Sequence, residues 1–330
     1  MTQIPAVSVM VPVYNVEPYI ERCAHSLFGQ TLGNVEYIFV NDCTQDNSMK
    51  ILSKVLDHYP NRKPRVKIID HKTNKGLASA RNTALDAASG EYLIYVDSDD
   101  WAEKNMIERM VSVAENEGAD LVLADYYVDY KNRKTAYVSL ADTIKENPNY
   151  KELFFSGKIR LFTWNKMISK RLYDNYAIRF IEGINMWEDV ATIPRLAFFA
   201  QRIAYLPEAF VHYVQYNPGS YTASCSADSI KQMQGAIETL EVFWKEQGCD
   251  PQCKAGLDEL KLHTKVSWFV NTRGKARNEL MHKYPEVNSL RNKVQPFYRR
   301  CLAELVRRHQ YRLANCLVFV MKQSKKVIFR

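Results

Sequence analysis

Twelve consecutive residues constrain this chain most: Gly90-Glu91-Tyr92-Leu93-Ile94-Tyr95-Val96-Asp97-Ser98-Asp99-Asp100-Trp101. An apolar, β-prone run bounded by glycine and followed at once by charge predicts a buried central strand over Tyr92–Val96. A parallel strand that deep ends at the carboxyl edge of its sheet, where open α/β folds bind their ligands. Asp97 and Asp99 are one pleat apart, so they point to one side and Ser98 to the other. Two carboxylates on one side repel unless something positive lies between them. A hard divalent cation, Mg2+ or Mn2+, with phosphate oxygens as further ligands, suits that arrangement. The competing explanation is an Asp/Ser run that caps the helix starting near Glu103.

The flanking pattern repeats the theme. Val7–Val13 reads as a first strand stopped by Tyr14-Asn15, and Glu17–Phe28 as its helix. Val35–Val40 is a second strand ending in Asn41-Asp42, with Asp46–Tyr59 its helix. Arg65–Ile69 is a third, ending at Asp70, followed by a helix over Gly76–Ala88. Beyond the opening stretch come a helix over Glu103–Glu115 and a fifth apolar run, Asp120–Tyr127. Strands alternating with helices predict an α/β fold on a parallel sheet with right-handed crossovers. Tyr14-Asn15, Asp42, Asp70 and Asp97 then line one crevice, where acids meet sugar hydroxyls and base N–H groups. Glycine cradles for dinucleotides or for P-loop phosphates are missing after the first strand, which weighs against NAD enzymes and P-loop NTPases.

After Tyr127 the pattern changes. Residues 130–150 are polar and read as a loop or insertion, and Glu152–Leu161 as an apolar helix. Lys166, in Thr163–Ile168, is read either as meeting phosphate or acceptor or as a helix-surface charge. Glu188 and Asp189 fall in a helix's first turn, where the dipole favours acids whatever their task. Ile230–Trp244, Leu257–Asn271 and Val294–Met321 read as helices.

With 46% hydrophobic residues and only 12 glycines in 330, the chain can bury a large core. No stretch approaches the roughly 18 apolar residues of a membrane span. Met1–Val13 lacks the basic flank and cleavage site of a signal peptide. The seven scattered cysteines predict reduced thiols and a cytoplasmic protein. Residues 291–330 carry eleven Lys/Arg against one acid, Glu304, a net +10, and the remainder nets −2. A pI near 9 raises nucleic acid as a partner. The excess is confined to one end and no reading motif accompanies it, so no nucleic acid is expected. Arg307–Arg330 mixes Leu313, Cys316, Leu317, Phe319, Val320 and Met321 with basic residues. That composition suits a helix at the anionic inner face of a membrane, and equally a packed terminal helix with a solvated face.

Several short strings then carry a resemblance. Val9-Met10-Val11-Pro12-Val13-Tyr14-Asn15, Val40-Asn41-Asp42 with Asp46, Asn74-Lys75-Gly76-Leu77-Ala78-Ser79-Ala80-Arg81-Asn82 and Val96-Asp97-Ser98-Asp99-Asp100 come first. Trp164-Asn165-Lys166, Trp187-Glu188-Asp189 and Pro218-Gly219-Ser220 follow. In this order the chain resembles the family 2 glycosyltransferases. The resemblance implies a GT-A fold, a Rossmann-like nucleotide-diphospho-sugar transferase core, with a largely helical C-terminal region. It implies a nucleotide-sugar-binding half at 1–127, an acceptor-binding half at 128–226 and a helical region with a basic tail at 227–330. The activity implied is inverting, metal-dependent sugar transfer to a hydroxyl of a growing polysaccharide or lipid-linked glycan. The expected donor is a UDP-sugar, the commonest in the family, with dTDP- and GDP-sugars as alternatives. A non-catalytic sugar-nucleotide-binding or scaffolding protein is the reading from another class, and retention of both Asp99 and Asp189 argues against it.

Carried over residue by residue, Pro12, Tyr14 and Asn15 pack around the nucleoside and Asp42 bonds its base. Arg81 faces the base or diphosphate, Asp97 holds ribose or donor hydroxyls, and Asp99 binds the Mn2+ or Mg2+. Asp189 is the implied base toward the acceptor. Asn74, Gly76, Ser98, Trp164, Lys166 and Glu188 complete the implied substrate-binding set. One departure stands out after Pro207. Where many relatives have Tyr-Arg-x-Arg, this chain has Val211-His212-Tyr213-Val214-Gln215-Tyr216, with neither arginine. His212 is the candidate for a further metal ligand there.

Overall fold

A computed structural model of the chain describes residues 4–219, 226–293, 297–308 and 310–328. Ser220 of the Pro218-Gly219-Ser220 string and the terminal Phe329 and Arg330 lie outside the described residues.

Val7–Val13 (β1) is buried at every position, the mark of a strand covered on both faces. It pairs in parallel with Val35–Asn41 (β2), and Val66–Asp70 (β3) adds in parallel to β2. Tyr92–Tyr95 (β4) takes the other side of β1, also parallel. Ile20–Phe28 (α1), Ser48–Asp57 (α2) and Leu77–Ala87 (α3) are the connecting helices. This half follows the sequence pattern closely.

The parallel run stops at β4. After Trp101–Ala102 (β5) and Met106–Glu117 (α4), the fifth apolar run forms Leu121–Asp129 (β6), yet β6 is not β4's neighbour. Lys166–Ser169 (β8) lies between them, antiparallel to both. Ile203–Val214 (β9) runs parallel to β6, and β5 closes the far edge antiparallel to β9. The sheet order is β3-β2-β1-β4-β8-β6-β9-β5, so the sheet is mixed where a parallel one was expected. A four-residue strand that begins with lysine carries no apolar run, and its pattern hid it. Residues 130–150 are not featureless: Ala136–Val138 (β7) pairs with β6, and Ala141–Glu146 (α5) follows. The helix expected over Glu152–Leu161 is Tyr150–Ser156 (α6), stopped by Gly157 at φ +68°. Lys170–Asn175 (α7) and Glu188–Phe199 (α8) complete this half.

Five helices follow: Ala227–Glu246 (α9), Pro251–Asn271 (α10), Gly274–His282 (α11), Phe297–Arg307 (α12) and Tyr311–Ile328 (α13). The packing does not part at residue 227. Ala236, Ile237, Leu240 and Phe243 of α9 and Leu257 and Leu260 of α10 belong to the main core. A Cβ on Gly256 would stand 2.7 Å from Glu152 O and 2.8 Å from Phe155 Cβ, so α10 crosses α6 at glycine range. A second cluster gathers Val266, Trp268 and Phe269 of α10 with Leu280, Leu302, Ala314 and Val318. The expected single helix over Val294–Met321 is two helices, separated by a turn in which Gln310 N donates to Leu305 O at 2.9 Å.

Candidate active site

The loop leaving β4 brings three carboxylates to the sheet edge. Asp97 Oδ1 accepts from Arg81 Nη2 at 2.8 Å. Asp99 Oδ2 accepts from Asn217 Nδ2 at 2.7 Å. Burial, with Asp97 close by, pushes the Asp99 carboxyl up to about 6. Asp100 Oδ1 takes Val214 N at 2.8 Å, tying the end of β9 to this loop, while its Oδ2 is buried without a hydrogen-bond partner. Burial and then the two neighbouring acids raise the Asp100 pKa.

Arg81, on α3 and 2% exposed, donates Nη1 to Glu188 as well as Nη2 to Asp97. Glu188 and Asp189 open α8 behind Trp187, which holds φ +72°, a left-handed conformation uncommon for a bulky residue. Burial raises the pKa of both acids, Glu188 to about 8, while Arg81 and, for Asp189, the Val190 N–H work against it. Three carboxylates thus surround one guanidinium whose Nε has no partner.

A cavity of about 340 Å³ joins these groups. Its lining takes Pro12, Tyr14, Asp42, Arg81, Asp97, Ser98 and Asp99 from the first half of the chain, and Leu161, Phe162, Trp164, Trp187, Glu188 and Asp189 from the second. Asp42 is held rigidly: Oδ1 meets His71 Nδ1 at 2.7 Å and Lys75 N at 2.8 Å, and Oδ2 accepts from Gly76 N at 2.8 Å. Gly76 holds φ +86°, and a Cβ there would stand 2.5 Å from the Asn185 side chain. A side chain there would be strained by the positive φ and would displace the Asn185 side chain.

Known proteins agree with this architecture. Residues 8–176 match the family profile described as Glycosyl transferase family 2. The chain is 33% identical over 262 residues, 77% of its length, to an uncharacterized glycosyltransferase, EpsJ, of Bacillus subtilis, whose length is covered to 74%. The chain belongs to glycosyl transferase family 2. A putative glycosyltransferase of the same organism, EpsH, is 36% identical over 63% of the chain, and the match spans 60% of that relative's length. Among solved structures, S. aureus TarS 1–349 in complex with UDP superposes with a TM-score of 0.67 at 20% identity, covering 96% of this chain and 91% of that one. Mannosyltransferase PcManGT of Pyrobaculum calidifontis, in complex with GDP-Man and Mn2+, gives 0.54 at 15% identity, covering 96% and 87%. The fold is GT-A.

Within this family 2 chain, several of the expected residues line the cavity: Pro12, Tyr14, Asp42, Arg81, Asp97, Ser98, Asp99, Trp164, Glu188 and Asp189. Others do not. Asn15 braces Thr44 at 2.7 Å, Asn74 Nδ2 reaches Asp42 O at 3.3 Å, and Asp70 accepts from Asn41, all outside the cavity lining. Arg81 is turned to carboxylates rather than to a phosphate site. His212 is corrected as a metal ligand: its ring nitrogens face Asp129 at 3.2 Å and Glu103 at 3.1 Å, and it stacks between Trp101 and Tyr127. Those contacts consume both nitrogens, and His212 does not line the cavity. Lys166 is corrected too: it is 1% exposed, and its ammonium is taken up by protein oxygens behind the wall.

Sequence reasoning missed four residues. Asn185 Oδ1 accepts from Ala78 N at 3.0 Å, capping the first turn of α3 from the segment before α8. Gln232, on α9, accepts from Asn185 N and Met186 N at 2.7 and 2.8 Å and so clamps the turn that carries Trp187–Asp189. Asn217 covers Asp99, and Leu260 of α10 reaches the cavity. The signal for Asn217 was its place one residue before Pro218-Gly219. The other three are made only by tertiary contact.

Proposed function

We propose that the chain is an inverting glycosyltransferase that takes a sugar from a nucleoside diphosphate donor, a UDP-sugar first, and passes it to a hydroxyl of a saccharide acceptor. The observation that carries the reading is one cavity lined by acids from both halves of the chain. Tyr14, Asp42, Asp97 and Asp99 come from the first half, and Asp189, with its pKa raised, from the start of α8. Inversion needs a base on the acceptor side, away from the departing diphosphate, and a carboxylate of raised pKa suits that task. Asp189 takes the acceptor proton, Asp97 orients donor hydroxyls, and Asp42, fixed by His71 and two backbone N–H groups, meets the base. TarS, which shares the fold, has been solved with UDP and with UDP-GlcNAc, which supports UDP first. The GDP-Man complex of PcManGT keeps a GDP-sugar as the second reading.

The residues present fit a divalent cation. Burial and then nearby Asp97 raise the Asp99 pKa, and Asp100 Oδ2 lacks a partner, which together describe carboxylates crowded without enough positive charge. Among the described residues no three His, Cys, Asp or Glu side chains form a metal site unaided, so phosphate oxygens would have to complete the shell. Held by Asp99 with Asp97, Mn2+ or Mg2+ would supply charge neutralisation of the leaving diphosphate.

The carboxyl end supports peripheral attachment to an anionic membrane. No described helix is long and apolar enough to cross a membrane. In α13, Ala314 and Val318 pack inward, while Leu313, Phe319 and Val320 are 56%, 63% and 60% exposed. Five Lys/Arg and no acid lie between Arg312 and Arg330. A lipid-linked acceptor at the cytoplasmic face suits that surface.

Equilibrium binding of UDP, GDP and dTDP with and without Mn2+ tests the donor side. Tightest binding of UDP, weakened by EDTA, is expected. Equal, metal-independent binding of all three would contradict the reading.

A further inference from the structure

The buried Lys166 ammonium has no place in the scheme above, although each of its three protons has an acceptor. It opens β8 at 1% exposure, and Nζ lies 2.7 Å from Arg160 O, 2.7 Å from Phe162 O and 2.8 Å from Asn165 Oδ1. A protonated lysine has three N–H donors, and here each has one acceptor. No carboxylate pairs with it among the described residues. Burying an unpaired ammonium costs several kcal/mol unless its protons are all satisfied.

What the ammonium braces is part of the cavity wall. Gly157, Arg160, Leu161, Phe162, Thr163 and Trp164 line the cavity together with Asp189, which interacts electrostatically with Lys166. That segment has no strand or helix of its own between Gly157 and β8, so few backbone bonds fix it. Thr163 Oγ1, buried there, has no partner at all.

We propose that Lys166 is a positioning residue whose three-way bond to Arg160, Phe162 and Asn165 holds the acceptor-side wall, residues 158–164, in register with Asp189. The inference rests on the transferase reading for what the wall receives, and not for the wall itself. Asn165 completes the brace: its Nδ2 donates to Ala124 O at 2.9 Å, and Ala124 N returns to Asn165 O at 3.0 Å, fastening the cluster to β6. Burial pulls the Lys166 pKa down to about 7, with Asp189 opposing, and the neutral amine would keep only two donors for three oxygens.

Lys166→Met keeps the length and removes every donor, and Lys166→Gln keeps two N–H groups. Hydrogen exchange read by mass spectrometry should show amides of residues 158–164 exchanging about tenfold faster in Lys166→Met, with Lys166→Gln between it and wild type. UDP affinity should stay within about twofold of wild type, because the donor end is built by other elements. With the octyl glycoside that wild type uses best as acceptor, KM should rise about tenfold with kcat changed less. Unchanged exchange over 158–164 in both variants overturns the proposal, and so does loss of UDP affinity in step with acceptor KM. If wild type fails to bind UDP, the donor reading falls, and the exchange result still judges Lys166. Should Lys166→Met not fold, Lys166→Gln carries the same comparison.

Discussion

Arg81 Nη2 donates to Asp97 Oδ1 at 2.8 Å, while its other terminal nitrogen reaches Glu188. One buried guanidinium therefore joins α3, the loop after β4 and the start of α8. It offsets three acids at once, since Asp189 also lowers its free energy in the charged form.

Replacing Arg81 by methionine should destabilise the protein by about 3–5 kcal/mol at neutral pH, because it leaves buried carboxylates facing one another. The loss should shrink toward pH 5. Glu188 already tends to hold its proton, and a protonated acid needs no guanidinium. Urea unfolding at the two pH values measures this, and an equal loss at both would show that the ion cluster is not the cause.

Asp99 gives a pH signature with a definite sign. Its folded pKa of about 6 lies above the ordinary 3.8, so the folded state binds protons more tightly than the unfolded chain. Stability from this group is full below about pH 4 and is lost as pH rises through about 6. Asp99→Asn should remove that fall. Mn2+ competes with the proton for the same oxygens, so its stabilising effect should appear above pH 6 and vanish near pH 4. Thermal unfolding with and without Mn2+ checks both. A Mn2+ effect independent of pH, or persisting in Asp99→Asn, would refute the assignment.

How much was legible beforehand follows from where each interaction originates. The first half was written locally: β1, β2 and β4 are apolar runs with turn residues at their ends, and their pattern survives into the structure. Asp97 and Asp99 were visible because acids at a strand end are conspicuous, and Asp189 because Trp187-Glu188-Asp189 carries the family resemblance. β8 was hidden because its strand begins with a lysine that folds inward onto carbonyl oxygens. His212 was carried over as a metal ligand from the resemblance, while its actual neighbours, Trp101, Tyr127, Asp129 and Glu103, come from β5, β6 and the chain after β5. Asn185 and Gln232 gave no signal at all, for their role is a contact between α3, the turn before α8 and α9.

The carboxyl end makes a prediction of its own. Each Lys or Arg near an anionic bilayer contributes at most ~1 kcal/mol, screened beyond about 8 Å at physiological salt. Attachment should therefore be peripheral. The intact chain should float with phosphatidylserine-containing vesicles at low salt, release at high salt, and fail to float once Arg312–Arg330 is deleted. A truncated chain that still floats would make α13 a packing helix only.

The central claim is that Asp189 serves as base in transfer from a nucleotide sugar bound across this cavity. Its most direct test is release of nucleoside diphosphate from a panel of UDP-, GDP- and dTDP-sugars with Mn2+ and saccharide acceptors, by wild type and by Asp189→Asn. Asparagine keeps the size and loses the basicity. The account predicts that wild type turns over one donor class. It predicts that Asp189→Asn binds that donor equally well but releases product about 10²–10⁴-fold more slowly. Near-normal rates for Asp189→Asn at saturating acceptor, or no turnover of any donor by wild type, would contradict it.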